Sequence, residues 1–121
     1  MVNFNDFINE HKKKYYQIRS INFIKINEMV YFNKNGLRHL LRRDGKMRTK
    51  SEQKRRLMLL GYCLPILNSE TVNLEFRVIK KRETTIEFIG ITDFIDNKKI
   101  RIVLRRVNKG RLFFLSIMDF K

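Results

Sequence analysis

The chain has 121 residues with 27 Lys and Arg against 12 Asp and Glu, giving a formal net charge of +15, and it is 43% hydrophobic with ten phenylalanines. That length supports one domain with a real core and excludes two comfortable ones. A single cysteine, Cys63, excludes an internal disulfide, and with only two histidines the usual zinc-ligand spacings are excluded too.

No apolar run approaches the roughly 18 residues of a membrane span, and the first residues, MVNFNDFINEHKKK, lack a basic segment leading into an apolar one. The reading is of a protein without membrane, metal or cofactor, made for the cytosol or delivered there as an effector domain. A field of +15 steers toward polyanions, so RNA or another nucleic acid is the expected partner.

The span 1–121 reads as one domain, with a packing helix over 1–20 and the main body over 21–121. In that helix Phe4, Phe7, Ile8, His11, Tyr15 and Ile18 recur at helical spacing behind an Asn3 cap. His11 falls on the apolar stripe as a rim histidine satisfied by a neighbour, and Cys63 reads as a small buried residue. Residues 21–32, rich in β-branched and aromatic types, predict one bent strand or two short ones.

Asn33 to Gly36 then turns into a short helix in which Leu37, Leu40 and Leu41 form one stripe and His39 and Arg42 point away from it. Asp44-Gly45 is expected to end this helix. Thr49-Lys50-Ser51-Glu52 fits a capping box for the next, with Gly61 at its C′ position and Pro65 preventing continuation. From Val72 the period changes to two, predicting a hairpin from Val72–Val78 and Thr84–Ile91 and a second from Ile100–Val107 and Leu112–Asp119. The fold class is therefore α+β, with N-terminal helices packed on a twisted antiparallel sheet of about four strands.

A symmetric turn around Asn108-Lys109-Gly110-Arg111 sets Arg106 opposite Phe113, Leu104 opposite Leu115 and Ile102 opposite Ile117. Ile100, Ile102, Leu104, Phe113, Leu115 and Ile117 then form the core side. The other side pairs Arg105 with Phe114, Val103 with Ser116 and Arg101 with Met118. Arginines beside an exposed Phe114 suit RNA, since guanidinium binds phosphate bidentately and a ring stacks on bases.

The excess charge lies in two segments: 34–56 nets +8 and 98–121 nets +7. A helix of the first packed over the sheet of the second would make one basic cleft containing His39, Arg101, Arg105 and Ser116. Arg38, Arg42, Arg43, Lys46, Arg48 and Lys50 supply further RNA-binding charge.

The order of an N-terminal helix, a strand ending in Tyr-Phe, a histidine helix (NGLRHLLRR), a basic capped helix and the terminal hairpin KIRIVLRRVNKGRLFFLSIMDFK resembles the phage and toxin nucleases related to barnase, EndoU, colicin ribonucleases and RelE. The resemblance covers about residues 21–121, and its most telling pieces are the histidine helix and the final strand FFLSIMDF. It implies an α+β ribonuclease of the BECR or RelE type that cleaves RNA without metal through 2′-hydroxyl attack, giving a 2′,3′-cyclic phosphate. By position, His39 carries over as general base or acid, Arg105 as the phosphate-stabilising cation, and Ser116 as the polar group at the sheet centre. The chain lacks a glutamate paired with histidine and a second site histidine, so acid and base stay unassigned, with Lys46, Arg48 or Lys50 open as the second group.

RNA carries its own nucleophile, so a histidine of near-neutral pKa and a few arginines meet the chemical demand. The acid-poor basic segments lack the clustered carboxylates of a two-metal site. A toxin of this kind calls for an acidic antitoxin or immunity protein over the basic face. The alternatives are a non-catalytic basic nucleic-acid-binding module and a phage or mobile-element protein whose basic face binds an acidic protein.

Overall fold

The computed structural model describes residues 3–120; Met1, Val2 and Lys121, which the domain span 1–121 includes, lie outside the described residues. Helix α1 (Phe4–Ile18) starts where the Asn3 side chain accepts the Asp6 amide at 2.8 Å. Its stripe buries Ile8 and Tyr15. His11 is half-buried, stacked on Phe7 at 4.0 Å with its Nδ1 2.9 Å from the Phe7 carbonyl oxygen, the neighbour-satisfied role expected of it.

Residues 20–31 resolve into two short antiparallel strands, β1 (Ser20–Phe23) and β2 (Glu28–Tyr31), joined through Asn27 at φ 53°. After them come α2 (Lys34–Leu41), α3 (Lys50–Leu59), a 3-10 turn (Leu60–Tyr62) and α4 (Cys63–Leu67). Between α2 and α3, β3 (Arg42–Arg43) pairs with β4 (Lys46–Met47). Asp44-Gly45 is thus a two-residue hairpin loop in which both residues have positive φ, the type I′ geometry that Asp-Gly favours, rather than the end of a helix.

Gly61 is likewise not a left-handed cap. The helical path runs past it, and Pro65 sits in the first turn of α4, where its missing N–H deprives no intrahelical bond. The rest of the chain forms β5 (Asn73–Lys81), β6 (Thr84–Ile95), β7 (Lys98–Val107) and β8 (Leu112–Phe120). Strands β6 and β7 are longer than their periodic cores because Asp96 and Asn97, both at positive φ, close a tight hairpin between them.

The fold is α+β, with six strands in the main sheet, in the order β1-β2-β8-β7-β6-β5. The expected four strands omitted β1 and β2, which join through a parallel contact of Val30 with Leu112 and Tyr31 with Phe113. The helices cover one face, where Phe23, Val30, Ile91, Ile100, Ile102, Leu104 and Ile117 are buried with Leu40, Leu57 and Ile66. Arg106 pins the strands together, its Nη2 2.7 Å from Glu28 and its Nε 3.3 Å from Glu87.

The register of β7 with β8 corrects the expectation at one end. Ile102–Ile117, Val103–Ser116 and Arg101–Met118 pair as expected, but Leu104 faces Phe114 and Arg105 faces Phe113, with a bulge at Leu115 between the two sets. The turn causes this: Asn108 at φ 55° and the Gly110 amide bonded to the Val107 carbonyl at 3.1 Å shift the pairing by one residue, and the bulge restores it. Phe114, expected to be exposed, is therefore in the core, 1% accessible and stacked on Phe32 at 4.8 Å.

Candidate nucleic-acid interface

Pairing between β2 and β8 stops at Tyr31 and Phe113. Beyond that point the chain turns through Asn33, whose side chain accepts the Asn35 and Gly36 amides, and α2 takes the place beside β8 that a longer β2 would fill. Gly36 makes this possible, since a Cβ there would lie 2.6 Å from the Phe114 carbonyl oxygen and 2.5 Å from Tyr15 Oη. Tyr15 fixes the same junction by donating its hydroxyl to the Asn33 carbonyl at 2.5 Å, and burial holds its pKa well above the ordinary phenol value.

With Leu37, Leu40 and Leu41 buried against the sheet, Arg38 and His39 are left exposed at its edge. There they meet Arg105, which projects from β7 on the uncovered side. Asn35, Arg38, His39, Arg42 and Arg105, with Asp44 and Gly45 of the small hairpin, line a depression of about 300 Å³. Partial loss of hydration, then the positive charges of Arg105 and Arg48, lower the His39 pKa below the usual 6.5, so the imidazole is predominantly neutral at pH 7. Arg48 is also tied to the helix, donating from Nε to the His39 carbonyl at 3.2 Å.

A smaller hollow of about 160 Å³ shares Asn35 and Arg105 and extends along Phe113 to Arg111, which stacks on Tyr31 at 4.8 Å. The uncovered face continues across the sheet in a row of register partners: Arg77, Phe88, Arg105, Phe113 and Tyr31. Two arginines and three rings are interleaved along it, the combination that suits phosphates and stacked bases of single strands. Phe94, 69% accessible, and Phe120 extend the aromatic surface of the described residues.

The structure brings together His39, Arg105, Arg38 and Arg42, keeps Arg48 bonded to the His39 carbonyl, and disperses the other expected site residues. Ser116 is a correction: expected in the open cleft, it is 8% accessible beside the bulge, and its hydroxyl accepts a bond from Arg56 of α3 at 3.2 Å. Phe114 is the second, since the open-face place opposite Arg105 that it was to fill is taken by Phe113. Arg101 lies on the open face four residues before Arg105 along β7, bonded to Glu75 at 3.3 Å. Lys50 packs over Phe4 at 5.3 Å, toward α1, while Arg43 and Lys46 stand exposed on the small hairpin.

Asn35, Phe88, Phe113, Tyr31, Arg77 and Arg111 escaped sequence reasoning. The alternation of β5 and β6 placed Arg77 and Phe88 on a common side, but only the strand order puts that side next to Arg105. Among the described residues no group of three or more His, Cys, Asp or Glu is gathered to hold a metal ion, and no helix is long and apolar enough to cross a membrane.

Fold and site together define an α+β domain with one helix-covered sheet face and one open, basic, aromatic face. Comparison with known proteins adds no relative: no family model matches the chain, and no match is found among curated proteins or solved structures.

Proposed function

We propose that this protein is an endoribonuclease of the BECR or RelE type that cleaves single-stranded RNA at the His39–Arg105 depression without metal. The observation that carries the reading is that His39 and Arg105 line one depression at the rim of an open sheet face that bears cations and rings. RNA lies along the row from Arg77 to Tyr31. His39 takes the proton of a 2′-hydroxyl as its oxygen bonds to the adjacent phosphorus. Arg105, with Arg38 and Arg42, neutralises the charge gathering on the non-bridging oxygens. The bond from phosphorus to the 5′-oxygen breaks, that oxygen takes a proton from water in the open depression, and a 2′,3′-cyclic phosphate remains.

Such a basic face also fits an acidic antitoxin or immunity protein, whose field would speed association and shield the cell. Incubating the protein with single-stranded RNA and DNA in excess EDTA tests the mechanism. RNA should be cut to cyclic-phosphate ends and DNA spared. Ends bearing 3′-hydroxyl, or a requirement for magnesium, would refute it.

One observation favours a second reading, a non-catalytic nucleic-acid-binding module: the Arg77-to-Tyr31 row sets out its arginines and rings without including His39. Tight RNA binding with no cleavage in the same assay would select it.

A further inference from the structure

A third hollow on the open sheet face, about 430 Å³, takes in Arg77 and Phe88 of the row and shares no lining residue with the His39 depression. Gly90 forms its floor in the middle of β6. Glu75 of β5 stands directly opposite Gly90 on one side, and Val103 of β7 on the other. The Arg101 guanidinium folds over the glycine, where a Cβ would collide with it. A carboxylate and a guanidinium from strands that are not neighbours thereby meet across the strand between them, Arg101 Nη1 lying 3.3 Å from Glu75 Oε2. Phe88, two residues before Gly90 on the same side, supplies a half-buried ring, with the Arg77 guanidinium 6.0 Å from its centre.

Stability does not account for this arrangement. Glycine weakens a strand interior, and an ion pair whose carboxylate is 72% accessible contributes little. The missing side chain at Gly90 gives the Arg101 guanidinium the room to lie across β6 beside Glu75. The pair uses one carboxylate oxygen and one guanidinium nitrogen, leaving an acceptor and donors side by side next to an aromatic ring.

We propose that this hollow is a guanine-binding subsite for the strand that crosses the sheet. Guanine presents two adjacent donors, N1–H and the N2 amino group, which a carboxylate accepts together, and beside them O6 and N7, which a guanidinium donates to. Adenine and cytosine turn a ring-nitrogen acceptor toward the carboxylate, and uracil offers one N–H between two carbonyls, so each leaves Glu75 facing a lone pair. The base stacks on Phe88 and is read by Glu75 and Arg101. Because Phe88 is the register partner of Arg105, the phosphate of the same nucleotide falls toward the His39 depression. In its link to cleavage this subsite rests on the ribonuclease reading; its base preference does not.

Equilibrium titrations of the protein with guanosine, inosine, adenosine, cytidine and uridine 5′-monophosphates at one fixed salt concentration test it without any cleavage. Guanosine monophosphate should bind about tenfold or more tighter than the adenosine, cytidine and uridine compounds, the discrimination of a good bidentate pair. Inosine monophosphate, which lacks the amino group, should fall between. Glu75→Ala and Glu75→Gln, checked by thermal melts for retained fold, should bring guanosine monophosphate to the level of adenosine monophosphate and leave the latter unchanged. Equal binding of all five, or a guanine preference that survives in both variants, overturns the proposal. RNA cleavage without base preference in either assay removes the subsite and keeps the ribonuclease; guanine preference in a protein that never cleaves keeps the subsite and removes the ribonuclease.

Discussion

Strand β7 carries the two faces of this protein on alternating residues. Ile100, Ile102 and Leu104 are each fully buried under the helices, while Arg101, Val103 and Arg105 are half-exposed on the side that nothing covers. The first set is fixed by water exclusion, which is indifferent to which apolar neighbour supplies the contact. The second set is fixed by charge: one arginine folds over Gly90 to reach Glu75, and one remains turned to the histidine at the sheet edge. A face that buries its side chains carries stability, and a face that keeps arginines and rings half-exposed leaves them free to meet a ligand. Substitutions on the two faces should therefore separate stability from activity.

The largest stability effect is expected on the covered face. Phe114→Ala should cost about 3–5 kcal/mol and Leu104→Ala about 2–5 kcal/mol, because each leaves a cavity among packed neighbours. Cleavage by either variant should fall only in proportion to its unfolded fraction. Denaturant melts check this, and a Phe114→Ala variant of near-native stability that had lost RNA binding would reverse the assignment of the two faces.

The seat of α2 on the edge of β8 gives the intermediate effect. Replacing a helical glycine by alanine ordinarily stabilises by about 1 kcal/mol. At Gly36 the sign should invert, with Gly36→Ala costing about 1–3 kcal/mol, since the added methyl meets the Phe114 carbonyl and Tyr15. A melt showing Gly36→Ala to be stabilising would mean that the helix has room to spare there.

The smallest change in stability, and the largest in activity, belongs to the open face. Arg105→Ala and His39→Ala should each shift stability by no more than about 0.5 kcal/mol while lowering RNA cleavage by about 100-fold or more. The imidazole resonances of His39 should titrate below 6.5 and move upward in Arg105→Ala, as one of the two cations that depress the pKa is removed. The sign for stability follows: with the folded pKa below the unfolded one, the unfolded chain takes the proton first. The contribution of His39 is thus complete above pH 6.5 and is lost as pH falls through the folded pKa. His39→Gln should flatten that part of the stability–pH curve. A His39 that titrates at 6.5 and ignores Arg105→Ala would show that the two residues do not share a site.

Local patterns carried much of the fold. The leucine stripe of α2 is buried, Thr49 caps α3 by accepting the Glu52 amide at 3.2 Å, and the alternation of β5 through β8 survives as paired strands. These features were legible because their causes lie within a few residues: a helical or strand period and a side-chain cap. The sequence also placed His39 away from the leucine stripe and located the excess charge in 34–56 and 98–121.

What it did not determine were relations between distant segments. Whether the 108–110 turn is symmetric depends on the backbone of Asn108, and that turn moved Phe114 into the core and put Phe113 in its place; Ser116 keeps its expected partner Val103 but is bonded to Arg56, sixty residues away. The parallel docking of β2 on β8, which lets α2 bring His39 to Arg105, left no local mark, because a parallel contact needs no hairpin and only two residue pairs make it. The period of a segment is a property of the segment, whereas its neighbours in a sheet are chosen by how all the apolar faces are buried at once.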